Sequence, residues 1–294
     1  MKPFTFAAVK KFFIFILCIF CAACLQAQSS FLQYQMSFTR VAQAFSHTQD
    51  SLKSRAKSIG LSWPLKELYF RSFKYDGEFE VWARNDQTSA YTLFKTYKVC
   101  SMAGTLGPKR FEGDYQVPEG FYYVNKYNPR SAFHLALGIN YPNASDDVLS
   151  DSMHPGGAIF IHGRCLTVGC IPLQDEPVEE VYTLSVLAKD QGQDFIPVHI
   201  FPYRFSNTKG QEYFNTLINS KAQLAPFSAS LRKVYDYFEK TKNLPLNGSP
   251  TPVITFMTSL ACSEPIMPGK TPKTPPSAQL GIRPGSGGVG YKSL

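Results

Sequence analysis

The sequence predicts an α+β fold, a β-rich domain with flanking helices. Helix-period apolar spacing is confined to residues 28–60 and to stretches after 175. Between about 65 and 205 the pattern is mostly short, aromatic and β-branched runs separated by Gly and Pro. The composition, 44% hydrophobic with 24 Phe and 16 Tyr among 294 residues, can fill a sizeable core. A mostly disordered chain is thereby excluded, and the lack of a Gly-X-Y or heptad period excludes collagen-like and coiled-coil chains.

The elements follow in chain order. Lys10 and Lys11 precede an apolar run, Phe12–Leu25, which ends at Gln26-Ala27. A basic start, a short greasy stretch and a small residue read as an export signal over residues 1–27. The run is shorter than the ~20 residues of a stable spanning helix. Cleavage near Ala27, lipidation of Cys24 or retention as an anchor all remain open, and export is common to the three. Without the three lysines of this leader the rest carries 27 basic and 22 acidic groups, a net +5. Such a mild balance suits an anionic polymer as partner and equally suits simple solubility.

Residues 28–64 form a helical lead-in, with Phe38, Val41, Ala42, Ala44, Phe45, Leu52 and Ile59 on the helix period, stopped by Trp63-Pro64. Strands are expected at Leu65–Phe73, Glu78–Ala83, Tyr91–Val99, Gly120–Val124, Phe133–Ile139, Ala158–His162 and Ile196–Phe205, together a unit over 65–205. A helix over Glu176–Asp190 places Val178, Val181, Leu184 and Leu187 on one face. Helices at 210–223 and 227–242 and a late strand at Val253–Met257 make a C-terminal extension, 206–262, expected to pack on that unit. The tail, 263–294, is rich in Pro and Gly and is expected to be disordered.

Three of the seven cysteines fall in the leader, leaving Cys100, Cys165, Cys170 and Cys262. Four in so long a chain is not a disulfide scaffold, so one or two can serve chemistry. The informative stretch runs from His154 to Pro172. His162-Gly163 lies where the Ala158–His162 strand emerges, and Gly169-Cys170 follows after a short loop. A thiolate nucleophile needs a nearby base or cation to lower its pKa, and a histidine eight residues away across a tight turn can provide this. Gly169 removes a Cβ beside the sulfur, and backbone N–H groups around Thr167, Val168 and Gly169 can face a developing oxyanion. Two other chemistries compete. Cys165 can be the nucleophile, a disulfide partner of Cys100 or a buried thiol. His154, His162, Cys165 and Cys170 offer four zinc ligands, although their spacing matches no paired-cysteine zinc site, and no metal is assigned.

This constellation resembles the YkuD-type L,D-transpeptidases, and within them the YafK-like branch. Their pattern is His-Gly on a strand, then Ser/Thr-His-Gly-Cys before a hydrophobic residue. His162-Gly163 and Thr167-Val168-Gly169-Cys170-Ile171 match it, with Val168 where the family has histidine and a shorter gap, as the YafK-like branch implies. Gly104–Lys109, Gly113–Tyr122, Phe133–Pro142 and Val198–Arg204 continue the likeness in order. The resemblance implies a catalytic domain of mixed, β-sandwich-like sheets. It implies a Cys170 nucleophile, a His162 acid/base and a Gly163 carbonyl that orients the ring. The substrate implied is a peptidoglycan stem peptide, attacked at the L-centre of diaminopimelate. An amine then gives a cross-link, while water gives hydrolysis, including release of a wall-linked protein. No cofactor is called for, nucleic acid is not a partner, and any membrane contact comes through the leader or a lipidated Cys24. Lys109, Arg164 and His154 are candidate substrate contacts, the first two for carboxylates. The non-enzymatic alternative is a wall-binding module with a degenerate site.

Overall fold

The computed structural model describes residues 30–245. The leader, the Val253–Met257 strand, Cys262 and the 263–294 tail lie outside the described residues. Ser30 caps α1 (Phe31–Met36) in a reciprocal capping box with Gln33. Phe38 is extended, so the helical pattern of 28–60 is two helices, and α2 (Thr39–Ser58) buries Val41, Ala44, Phe45, Leu52 and Ala56.

Eight strands follow: β1 (Glu67–Phe73), β2 (Glu78–Arg84), β3 (Thr92–Lys98), β4 (Gly120–Asn128), β5 (Ala136–Ile139), β6 (Phe160–His162), β7 (Ile171–Pro172) and β8 (Pro197–Phe201). They join in one sheet of order β3-β2-β1-β8-β4-β5-β6-β7. β1 pairs β8 and β6 pairs β7 in parallel; the other pairs are antiparallel. A register shift between Val124 and Lys126 lets β4 serve β8 with its first half and β5 with its second.

The helices cover both faces. Leu68 and Phe70 of β1 and Val198 and Ile200 of β8 share one core with α2 and α4 (Asp175–Asp190). Alternation sends Phe73 and Phe201 to the other face, where they pack with Phe214 of α5 (Thr208–Ile218) and Leu231 and Tyr235 of α6 (Leu224–Thr241). α4 is buried nearly all round, not on one stripe, because α1 and α2 cover its outer side.

Charges are buried too. Arg71 Nε donates to Glu80 Oε2 at 2.8 Å and its Nη1 to Glu239 Oε1 of α6 at 2.6 Å. Arg204 Nη2 reaches Glu80 Oε1 at 2.7 Å. Lys74 and Glu119 pair at 3.1 Å; Lys74 donates to the Gly107 and Val117 carbonyls and Glu119 accepts the Gly107 N–H. That pair clamps the long 99–119 connection against β1.

Several boundaries differ from the sequence reading for local reasons. Positive φ at His134 and Ala158 delays β5 to Ala136 and β6 to Phe160. The first C-terminal helix begins at Thr208, two residues early, because Asn207 caps it, and it ends at Ile218. β7 and the six-residue α3 (Ala144–Leu149) are unpredicted; two residues are too short for a period and α3 rests on an Asn143 cap. Among the described residues no helix is long and apolar enough to cross a membrane.

Candidate active site

Parallel pairing sets Ile161 opposite Ile171 and both enter the core. Side-chain alternation then turns Phe160, His162 and Cys170 to the opposite face. The Phe160 N–H donates to Cys170 Sγ at 3.4 Å, and the thiol points at the Ala158 carbonyl 3.8 Å away. His162 is 2% exposed, and its Nδ1–H donates to the Gly163 carbonyl at 2.5 Å. That bond leaves Nε2 as the basic nitrogen. The Phe133 ring lies 4.7 Å from the imidazole.

Gly163 admits no side chain. A Cβ there would stand 2.5 Å from Asp175 Oδ1 and 2.8 Å from the Phe133 carbonyl. Asp175, at the start of α4, accepts the Arg164 N–H at 2.8 Å, so the helix start holds the loop next to His162. Thr167 Oγ1 accepts from the Gly169 N–H at 3.1 Å and donates to the Cys170 carbonyl at 2.8 Å. The Gly169 N–H is therefore engaged by Thr167. Gly169 has φ +147, and a Cβ there would meet the Gln116 carbonyl at 3.0 Å.

Cys165 forms a disulfide with Cys100, Cα atoms 5.6 Å apart. Of its three sequence alternatives, this one holds, and it removes Cys165 both as nucleophile and as a zinc ligand. Cys170 is the free cysteine among the described residues, none of which form a group of three or more His, Cys, Asp or Glu able to hold a metal. The disulfide joins the middle of the 163–169 loop to the start of the connection after β3, where the Cys100 N–H also donates to the Pro172 carbonyl.

The remaining candidates are spread around this centre. Lys109 is buried; its Nζ donates to Asp114 Oδ1 at 2.5 Å and to the Phe111 carbonyl at 2.8 Å, so it is not a free cation. Its charge still reaches Cys170 and opposes the rise in the thiol pKa. His154 and Arg164 are exposed, as is Val168. Burial pushes the Cys170 thiol above its ordinary value, against the Phe160 N–H and Lys109. Burial likewise holds His162 below its ordinary value, partly offset by the Gly163 carbonyl. The resting pair is neutral thiol and neutral imidazole, not the lowered thiol that the sequence argument required.

Sequence reasoning missed Asp175, Asp114, Gln116 and Phe133. Gln116 accepts the Thr105 N–H and donates to the Thr105 and Gly107 carbonyls. Gln116 and Asp114 sit inside the Gly113–Tyr122 motif, which was the available signal; Asp175 reads only as an acidic helix start.

The family model for the L,D-transpeptidase catalytic domain (YkuD) matches residues 77–200. The chain is 32% identical over 182 residues to "Putative L,D-transpeptidase YafK" of Escherichia coli, in strain K12 and in O157:H7. That alignment covers 60% of this chain and 69% of the relative. Among solved structures, the helical cell shape determining protein Pgp2 of Campylobacter jejuni is 24% identical with TM-score 0.37. There the likeness covers 52% of this chain, which spans 55% of the Pgp2 chain. Bdellovibrio bacteriovorus Bd1075 is 19% identical with TM-score 0.34, over 54% of this chain and 58% of that one.

Proposed function

The chain belongs to the YkuD L,D-transpeptidase family, and on that premise we propose that it is an exported cysteine enzyme acting on peptidoglycan stem peptides. Cys170 attacks the carbonyl at the L-centre of diaminopimelate. His162 Nε2 takes the thiol proton as the S–C bond forms, then gives it to the leaving amine as the tetrahedral intermediate collapses. The product is a thioester on Cys170 and a free amine. A second amine, or water, attacks the thioester with His162 as base and restores the thiol.

The observation that carries this reading is the orientation of His162. Its Nδ1–H is committed to the Gly163 carbonyl, and alternation along β6 and β7 sets its ring on the face that bears Cys170. The Cys170 N–H serves as the backbone donor for the oxyanion in this reading, since the Gly169 N–H is committed to Thr167. Thr167 supports that donor by holding the Cys170 carbonyl. In this reading Lys109 acts through its field on the thiol, while Arg164 and His154 are solvent-side contacts for substrate carboxylates.

The test is mass spectrometry of muropeptides and of protein-bearing sacculi after incubation with the full chain, Cys170→Ala as control. Cys170-dependent dimers between two diaminopimelates, or exchange of terminal D-alanine, identify transfer. Shortened stems or released protein without a new linkage identify hydrolysis. Absence of any Cys170-dependent change overturns the catalytic reading.

A further inference from the structure

A cavity of about 420 Å³ lies between the 104–116 segment and the start of α6. Its apolar wall is Leu106, Pro108, Phe111, Leu224 and Phe227, and its polar lining includes Arg110, Lys221, Asp114 and Gln116.

The acid and the amide that line it are already engaged, and Arg110 has its counter-ion, Asp146, outside the lining and beyond hydrogen-bond reach. Asp114 is spent on Lys109 and on the N–H groups of Arg110, Phe111 and Gln116. The Gln116 amide is spent on Thr105 and Gly107. Arg110 lies 5.6 Å over the Phe227 ring, and its buried Nη1 has no hydrogen-bond acceptor, with Asp146 Oδ1 3.7 Å away. Such an orphaned guanidinium nitrogen costs stability unless an acceptor arrives. Lys221 is exposed at the rim. The 18-residue α6 begins at this wall with no acid in its first turn, so its dipole adds positive potential. A cationic lining beside apolar walls suits an anion attached to an alkyl chain, and the volume falls in the range of small-ligand sites.

The cavity adjoins the reacting pair through one segment. Gln116 lines it, and the Gln116 carbonyl lies under Gly169. Asp114 lines it and holds Lys109, whose charge reaches Cys170.

We propose that this cavity is a carboxylate-binding subsite for the peptide substrate, taking a carboxylate borne on an alkyl chain. Arg110 and Lys221 hold the carboxylate, and Phe111 and Phe227 cover the adjoining carbon chain. The identity of the peptide rests on the peptidoglycan reading of the Cys170 site; the carboxylate chemistry rests on the cavity alone.

Calorimetric titration of the full chain carrying Cys170→Ala tests it. The probes are a diaminopimelate-containing disaccharide tetrapeptide and the same peptide with its free carboxylates amidated. Amidation should weaken binding about tenfold, the loss of one charge-assisted hydrogen bond. Lys221→Glu should do the same for the untreated peptide and little more for the amidated one. Lys57→Glu in α2, on the other face of the sheet, should change neither. Arg110→Gln is the second cavity variant, and with Cys170 intact both should raise KM while leaving kcat within about twofold. Equal binding of the amidated peptide, wild-type affinity in both variants, or displacement by inorganic phosphate at the peptide's own concentration overturns the subsite. If the binding pattern holds but no Cys170-dependent turnover exists, the subsite stands and the catalytic reading falls. If turnover exists and its KM ignores both variants, the subsite alone falls.

Discussion

His162 and Cys170 are shifted apart, the imidazole down and the thiol up, and both shifts have burial as their first cause. Each group is therefore neutral across the middle of the pH range. Productive attack needs imidazole free to accept a proton, so kcat/KM should rise with an apparent midpoint below the ordinary histidine value of 6.5. It should then stay level toward the thiol's ordinary 9.0 instead of falling near neutrality. An acid limb above 6.5 would mean that the imidazole is not depressed. A fall in rate just above neutrality, as an imidazolium lost its proton, would mean an imidazolium–thiolate pair at rest; either refutes this assignment. Among single residues, Gly169 was read for its missing Cβ beside the sulfur and Gly163 for a carbonyl next to the histidine, both of them local requirements. Lys109 was legible as a cation but not as a buried one, since its partner Asp114 is just one of 22 acids until the 109–114 turn forms.

At the scale of elements, Arg71 ties β1 to β2 through Glu80 and to α6 through Glu239. Arg71→Ala leaves the nearly buried Glu80 with Arg204 and the Trp82 indole N–H but without its main partner. We expect a loss of roughly 3–5 kcal/mol, the cost of breaking a buried pair from one side. Thermal denaturation by circular dichroism reads it, and an unchanged Tm would show that the ion pair contributes nothing net. Most strands were legible, their alternation and breakers being local; α4 was legible in position but not in burial. Its second face is apolar because α1 and α2 lie on it, and a helix period cannot say how many neighbours a helix has.

For the whole molecule, the Cys100–Cys165 bond closes a separation of 65 residues. Chain-entropy arguments value such a closure at roughly 4 kcal/mol. Dithiothreitol, or Cys165→Ala, should therefore lower Tm while Cys170-dependent turnover persists at temperatures where the fold holds. Loss of turnover without loss of Tm would instead make Cys165 part of the chemistry. A disulfide of this kind persists in oxidising compartments and supports the proposed export. By itself the sequence determined the α+β class, the order of most elements, and the place in the chain of a histidine and a cysteine suited to covalent catalysis. Those are readable because alternation, caps, breakers and motif spacing act within about twenty residues. Only the tertiary structure decided that Cys165 meets Cys100, that burial keeps His162 and Cys170 neutral, and that the 104–116 segment and α6 enclose a cavity lined by Arg110 and Lys221. Each of these arises where segments far apart in the chain exclude water from one another, and local pattern does not encode that meeting.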